Sequence, residues 1–187
     1  MEEIRFHGRG GQGTVVASKV LASAIAGEGK HIQAFPEFGV ERRGAPVTAY
    51  LRIDQHDIHE KSKIYEPDHV VVLDPTLLNS VKVTEGLKKG GWIIINTEKK
   101  PSKLPFNGEY RLATIDARKI AEHFGIGSKT APIVNTAMLG SVVRTLGLCH
   151  YDSLAEAIEK EVPIKKKENQ EAAKESFEKV KHKKQHG

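Results

Sequence analysis

The chain has 187 residues, of which 39% are hydrophobic and 28% charged, with a formal net charge of +5. These values are those of an ordinary globular protein of one domain, or of one domain with an appendage. The single cysteine, Cys149, excludes a disulfide framework, a cysteine-rich zinc site and a cysteine-ligated iron–sulfur cluster on this chain.

No membrane segment or targeting peptide is expected. No run of 18 apolar residues occurs, as a membrane-spanning helix would require. The start, Met1-Glu2-Glu3, is acidic and unlike a signal or transit peptide. With only one cysteine, the chain suits the reducing cytoplasm, and we expect no membrane partner.

The positive charge lies mainly at the carboxyl-terminal end. Residues 163–187 contain eight Lys and four Glu, a net of +4, which leaves +1 for residues 1–162. Oppositely charged residues four apart, such as Glu175 and Lys179, predict an exposed helix, whose thin apolar stripe of Ala173, Phe177 and Val180 could dock it on a surface. No aromatic platform or groove-reading motif accompanies the lysines, so we expect a solvated helix and no nucleic acid partner. We therefore divide the chain into a domain of residues 1–162 and a basic C-terminal helix or tail of residues 163–187.

Within the body, strand-like and helix-like segments alternate. Short apolar or alternating runs predict strands, and longer amphipathic stretches predict helices. In chain order, the predicted strands are Ile4–His7, His31–Phe35, Val47–Ile53, Val70–Leu73, Trp92–Ile95 and Tyr110–Ile115. The predicted helices are Thr14–Ala26, Val83–Lys89, one capped by Asp116 and reaching Phe124, Asn135–Leu146, and one capped by Asp152 and reaching Val162.

This order predicts an α/β fold. We expect a three-layer αβα sandwich, Rossmann-like, with helices on both faces of a mostly parallel, mixed sheet and a C-terminal helical extension. The strand Val47–Ile53 alternates polar and apolar residues instead of running apolar. It is therefore a candidate for an antiparallel or edge position.

The glycine-rich run Gly8-Arg9-Gly10-Gly11-Gln12-Gly13 is the strongest local signal. It follows the first strand, opens a helix and has the spacing G-x-G-x-x-G. Glycines permit positive φ and close backbone approach, and the free N–H groups of a helix start attract phosphate. Three interpretations remain open: a site for a phosphate-bearing ligand or the lining of a partner's active site, a turn made only for packing, and an NAD site. An NAD site also needs an acid at the end of the second strand, and Glu37 lies badly for that, beyond Pro36.

The second signal is the loop from Pro36 to Pro46, in which Arg42 and Arg43 precede Gly44. Two adjacent arginines in a loop after a strand suit recognition of phosphate or carboxylate, because the guanidinium presents a planar fork of donors. The alternative is an exposed loop with ordinary ion pairs to Glu37 or to Glu41.

Other candidates are weaker. Asp74 follows a buried strand, but an Asp-Pro pair also simply ends strands and begins helices. The nine histidines are scattered, so we expect no metal site on this chain. No nucleophile elbow, P-loop lysine or reactive-cysteine setting occurs, so we expect no catalytic residue here.

Taken in order, these motifs resemble the gamma subunits of the 2-oxoacid:ferredoxin oxidoreductases. The resemblance rests on the segment His7–Gly13, the loop Phe35–Val47 with its Glu-Arg-Arg-Gly-Ala-Pro, the strand end Val72–Asp74 and the helix start Asn135–Gly140. It runs from about residue 4 to about residue 160. Ala45, where relatives acting on 2-oxoglutarate more often have glycine, favours a pyruvate type; 2-oxoglutarate, branched-chain 2-oxoacid and indolepyruvate enzymes of the same family remain alternatives.

The resemblance implies a multi-subunit enzyme that decarboxylates pyruvate to acetyl-CoA and passes electrons to ferredoxin. Thiamine diphosphate, magnesium and the 4Fe-4S clusters would belong to the alpha, beta and ferredoxin-like delta subunits. This chain would hold no cofactor tightly, would contribute to assembly and would bind coenzyme A as co-substrate. The residues expected to bind coenzyme A, or to lie at the subunit seam, are Gly8, Arg9, Gly10, Gly11, Gln12, Gly13, Arg42, Arg43, Gly44 and Asn135, the last also as the cap of its helix.

Overall fold

A computed structural model describes residues 1–37, 43–106 and 108–183 of the chain. These residues form a seven-stranded sheet, five α-helices and two 3-10 helices. The strands are β1 (Glu2–Arg9), β2 (His31–Pro36), β3 (Pro46–Asp54), β4 (His69–Val72), β5 (Trp92–Asn96), β6 (Arg111–Ile115) and β7 (Lys181–Lys183). The α-helices are α1 (Thr14–Ala26), α2 (Ala117–His123), α3 (Asn135–Leu146), α4 (Tyr151–Glu161) and α5 (Lys166–Lys179), and the 3-10 helices are Pro75–Asn79 and Pro101–Lys103.

The sheet is mixed, with the strand order β2-β3-β1-β4-β5-β6-β7. The strands β1, β4, β5 and β6 are parallel, whereas β2, β3 and β7 each pair antiparallel with a neighbour. The predicted α/β fold is therefore confirmed, and so is the antiparallel direction of Val47–Ile53. Of the two alternatives, edge or antiparallel, the second therefore holds: β2 lies on the outer side of β3, and the polar residues Tyr50 and Arg52 of β3 are buried, each 1% exposed.

The five α-helices share one hydrophobic core with one face of the sheet. The other face is covered by turns and the 3-10 helices, in a smaller core that includes Val83 and Leu87. The predicted helix Val83–Lys89 is wrong, since this segment forms turns. Gly86 has a φ of +71°, and a Cβ there would lie 2.0 Å from the carbonyl oxygen of Tyr65, so the turn requires glycine at this point. On this face of the sheet, turns and 3-10 helices therefore take the place of the predicted layer of α-helices.

The C-terminal helix is packed, so the expectation of a solvated helix is wrong. Ala172 and Ala173 of α5 are fully buried against the core. A Cβ on Gly140 of α3 would lie 1.9 Å from the carbonyl oxygen of Ala173, so the absence of a side chain brings the two helices into direct backbone contact. After α5, the strand β7 pairs with β6. The division after residue 162 stays a prediction.

Of the N-caps predicted at Asp116 and Asp152, one is right and one is wrong. Asp116 caps α2 as predicted, its Oδ1 accepting a helix N–H at 3.0 Å. The predicted capping of α4 by Asp152 is wrong, because His150 is the N-cap and Asp152 lies in the first turn. Glu28 supplies the acceptor from the end of α1: its Oε1 accepts the N–H of His150 at 2.7 Å and the hydroxyl of Ser153 at 2.6 Å. In the described part of the chain, no helix is long and apolar enough to cross a bilayer.

Candidate functional site

The glycine-rich loop and the arginine loop meet at the carboxyl edge of the parallel strands, where open α/β sheets place their ligands. The Gly10 N–H donates to the carbonyl of Ala45 at 2.9 Å, and the Gly44 N–H donates to the carbonyl of Gly10 at 3.0 Å. Gly10 and Arg43 also form a parallel β-bridge. The two predicted signals are therefore one structural unit; Arg42 lies outside the described residues.

Gln12 ties this unit to the end of β4. Its Oε1 accepts the N–H of Arg9 and its Nε2 donates to Asp74 Oδ2, both at 2.8 Å. The other oxygen of Asp74 accepts the N–H and the hydroxyl of Thr76, at 2.9 and 2.6 Å. Burial works against the charged carboxylate of Asp74, but the hydrogen bonds from Thr76 and Gln12 and the charge of Arg9 outweigh it, so the pKa of Asp74 lies below its ordinary value.

The Arg9 guanidinium is held by groups of the protein itself. Its Nε lies 3.2 Å from Asp74 Oδ2, its Nη2 donates to Thr76 Oγ1 at 2.8 Å, and its Nη1 donates to the carbonyl of Gly44 at 3.0 Å. The sequence favours a strand end at Asp74 and carries no signal at Thr76. The tertiary fold brings both residues to the glycine-rich loop. The only local sequence signal for this position is the dipeptide Asp74-Pro75.

The first turn of α1 presents backbone N–H donors that no described residue accepts. Gly13 is the N-cap, with a φ of +78°, and supplies no side-chain cap; no acidic residue lies in the first turn. Among the described residues, none accepts the backbone N–H of Gly13, Thr14, Val15 or Val16. These donors and the positive end of the helix dipole favour an anion at this point.

Two of the predicted glycines have close neighbours. A Cβ on Gly13 would lie 2.6 Å from Nδ2 of Asn135, and one on Gly8 would lie 2.0 Å from Oγ1 of Thr14. Both positions therefore require glycine for packing. Asn135 does not cap α3 as expected: Val134 is the N-cap, and Asn135 Oδ1 accepts the N–H of the next residue at 2.8 Å. Asn135 nevertheless lies beside the glycine-rich loop.

Two cavities meet at this loop. The first, the polar crevice, has a volume of about 760 Å³ and lies along the carboxyl ends of β4 and β5. Its lining includes Gly11, Gln12, Arg43, Asn96, Arg118 and Lys119. The second, the apolar groove, has a volume of about 550 Å³ and runs along the start of α1. Its lining includes Gly13, Val16, Val47, Ile126, Ile133 and Ile164. Gly10 and Gly11 line both cavities.

The geometry does not suit a dinucleotide site. In such a site the strand after the first helix lies beside β1 and its end holds a ribose. Here β2 is separated from β1 by β3. Glu37 is already engaged, accepting hydrogen bonds from the Tyr50 hydroxyl at 3.1 Å and from the Lys63 amine.

Comparison with known proteins identifies the family. The family model of pyruvate ferredoxin/flavodoxin oxidoreductase matches residues 3–179. The chain is 52% identical to the pyruvate/ketoisovalerate oxidoreductases common subunit gamma of Thermococcus litoralis, over 96% of this chain and 97% of that protein. It is also 52% identical to the pyruvate synthase subunit PorC of Methanocaldococcus jannaschii, over 84% of each. The likeness thus extends into α5, beyond the residue 160 expected from the motifs.

Two solved structures are similar to this chain over most of its length. The crystal structure of the pyruvate oxidoreductase subunit PORC from Thermotoga maritima superposes with a TM-score of 0.82 at 36% identity, covering 98% of both chains. The 2-oxoglutarate:ferredoxin oxidoreductase of Magnetococcus marinus shares the fold, with a TM-score of 0.73 at 18% identity; the match covers 95% of this chain and 30% of that one. The chain therefore belongs to the pyruvate ferredoxin/flavodoxin oxidoreductase family, as a subunit of the gamma type.

Proposed function

We propose that this chain is the coenzyme A-binding gamma subunit of a complex that decarboxylates pyruvate to acetyl-CoA and passes the electrons to ferredoxin. Thiamine diphosphate with magnesium and the 4Fe-4S clusters then belong to the alpha, beta and delta subunits of the same complex. The single cysteine supports this division, because a cubane cluster needs several thiolate ligands. The names of the relatives in Methanocaldococcus jannaschii and Thermotoga maritima support pyruvate as the substrate.

One observation carries the proposal: N–H donors that no described residue accepts lie at the start of α1, in the lining of the apolar groove. They lie close to Gly10 and Gly11, which line both cavities. Coenzyme A has a phosphorylated nucleotide at one end and a long aliphatic arm at the other. The donors of Gly13 and the first turn of α1 suit a phosphate, and Arg43 lies beside Gly10 and Gly11 with a positive charge. The remaining crevice contains both signs of charge, lined by Arg118 and Lys119 and by the carboxylates of Asp74, Glu98, Asp116 and Glu122. The groove, lined by side chains such as Val16 and Ile133, suits the arm.

Arg43 provides the test of this proposal. Replacing Arg43 with alanine, alone or together with Arg42, removes a charged donor from the crevice. We expect the KM for coenzyme A in the assembled complex to rise about tenfold, the loss that follows from one charge-assisted hydrogen bond. The KM for pyruvate should not change, because on this proposal the substrate pocket belongs mostly to other chains.

Lys89→Ala is the matched control, since Lys89 is 86% exposed and lies at the opposite edge of the sheet. Gel filtration of each complex separates a ligand contact from a contact at the subunit seam. If the double variant assembles and keeps the KM for coenzyme A, the role given to the arginine loop is wrong.

A second function is open to a direct test. The relative from Thermococcus litoralis carries the name of a subunit common to pyruvate and ketoisovalerate oxidoreductases. We propose as the alternative that this chain also serves a complex acting on a branched-chain 2-oxoacid. Assaying the purified complexes with pyruvate and with ketoisovalerate distinguishes the two: a single active substrate excludes sharing.

A further inference from the structure

The wall of the apolar groove contains a backbone conformation that is unusual for its residue type. Residues 162–165, between α4 and α5, line the groove. Lys165 has a φ of 50°, the only positive value at a non-glycine residue in the described part of the chain, whereas nine positive-φ positions there are glycine. A lysine in the left-handed region carries steric strain, which persists only where the surroundings hold it.

Asn169 is what holds this turn. It is 4% exposed, and its Nδ2 donates to the carbonyl of Lys165 at 2.8 Å and to that of Ile164 at 3.4 Å. Its Oδ1 accepts the hydroxyl of Thr136 at 2.6 Å. The Lys165 amine in turn donates to the carbonyl of Gly125 across the end of the groove. The turn is therefore fixed from both α3 and the loop after α2.

These contacts connect the turn to the glycine-rich loop. Thr136, which bonds Asn169, follows Asn135, and Asn135 Oδ1 accepts the N–H of Thr136. Asn135 in turn stands against Gly13, where a Cβ would lie 2.6 Å from its Nδ2. The path from Gly13 to Lys165 is thus continuous through buried side chains, so the wall and the anion-binding donors keep a fixed relative position.

Two apolar side chains of the groove are exposed. Ile164 is 69% exposed at its mouth and Val16 is 41% exposed. An aliphatic arm in the groove would cover both side chains.

We propose that Lys165 and Asn169 are positioning residues that shape residues 162–165 into the wall against which the aliphatic arm of coenzyme A packs. This inference rests on the proposed function of the chain. It makes the C-terminal helix part of the binding site, since Asn169 acts from the first turns of α5.

Two substitutions at one position test it. Lys165→Gly and Lys165→Val both remove the amine that bonds Gly125, but only valine, which is β-branched, resists the left-handed conformation. In the assembled complex we expect the KM for coenzyme A of the valine variant to exceed that of the glycine variant by on the order of tenfold, the effect of losing a few buried methylene contacts. The two variants should share the same kcat at saturating coenzyme A.

A fragment of the co-substrate shows which part of the site is affected. Adenosine 3′,5′-bisphosphate carries phosphates but no aliphatic arm. As a competitive inhibitor it should have the same inhibition constant in both variants, because neither substitution changes the N–H donors at the start of α1 or Arg43. A constant that rises in parallel with the KM would mean general damage to the fold and would overturn the proposal, as would equal KM values in the two variants.

Asn169→Asp gives a second, isosteric readout should the valine variant not assemble. Aspartate keeps an acceptor for Thr136 but loses the donor to Lys165, so the KM for coenzyme A should again rise; an unchanged KM would contradict the proposal.

Arg43→Ala separates this inference from the proposed function. If Arg43→Ala raises the KM and the Lys165 and Asn169 variants do not, only the wall is wrong; if none of them does, coenzyme A binds elsewhere.

Discussion

Arg5 and His7 are buried polar residues on the sheet face opposite the α-helices. The Arg5 Nε–H donates to His7 Nε2 at 3.0 Å, and Arg5 Nη2 donates to the carbonyl of Val83 at 3.0 Å. Because Nε2 accepts this bond, the imidazole is neutral with its proton on Nδ1. Burial, followed by the charge of Arg5, lowers the pKa of His7 to about 4. The bond from Arg5 attaches the turn that contains Val83 to β1, just before the glycine-rich loop.

This pKa makes the stability of the chain depend on pH. The pKa of His7 is about 4 in the folded chain, against 6.5 for an unperturbed histidine, so the unfolded chain binds the proton first as the pH falls. Stability is therefore full above pH 6.5 and declines towards pH 4, by about 3 kcal/mol for this group. His7→Gln offers an acceptor without titrating, so urea unfolding of this variant should show a shallower loss of stability over that range.

His59→Gln is the control for this measurement. His59 is exposed, and no described residue forms a hydrogen bond or an ion pair with it, so its replacement should leave the pH dependence of unfolding as it is in the unmodified chain. If His7→Gln and His59→Gln show the same slope between pH 4 and pH 6.5, His7 is not the group that couples folding to protonation.

The sequence predicts some residues of the site and not others. Gly11 and Gly13 were predicted because positive φ and free N–H groups follow from the motif itself, and both have positive φ, of +91° and +78°. Asp74 and Thr76 could not be placed, because their bonds to the loop span more than sixty positions along the chain. The burial of Arg52 could not be predicted either. An alternating strand predicts a polar face exposed to solvent, whereas here a loop covers that face.

At the scale of elements, the packing of α5 on α3 depends on one missing side chain. A Cβ on Gly140 would lie 1.9 Å from the carbonyl oxygen of Ala173, a backbone atom that moves only if α5 moves. We therefore expect Gly140→Ala to destabilise the chain by about 2 kcal/mol, as overpacking of a core does, in spite of the better helix propensity of alanine. Thermal unfolding would show this as a lower Tm.

Gly27→Ala is the matched control, because Gly27 has an ordinary φ of −58° and a Cβ there would lie 3.3 Å from its nearest neighbour. Its Tm should stay close to that of the unmodified chain. An equal Tm for Gly140→Ala would mean that α5 is loosely attached, in conflict with the buried Ala172 and Ala173. The charge pattern of the tail did not predict this packing, because close helix contact here uses small residues and leaves no broad apolar stripe.

At the scale of the whole molecule, one feature of the topology builds the site. The strand β3 runs antiparallel to β1, with Arg9 opposite Pro46 in register. The chain therefore enters β3 at the edge where β1 ends, and this brings Arg43 and Gly44 beside Gly10. The sequence predicts both loops and the direction of β3, but their pairing follows only from the strand order, in which β3 lies next to β1 and β2 outside it.

At the same scale, the proposed function requires cofactor ligands that we expect partner subunits to supply. One cysteine cannot ligate a cubane cluster. We expect affinity purification of this chain from its native cells, under gentle conditions, to recover one chain with Cys-x-x-Cys-x-x-Cys motifs and one with the thiamine diphosphate signature. The same purification from cells without the affinity tag is the control for adhering proteins. Recovery of the chain alone, or with nucleic acid, would contradict the proposed partners, and direct titration of the isolated chain with coenzyme A would then decide whether the glycine-rich loop binds without them.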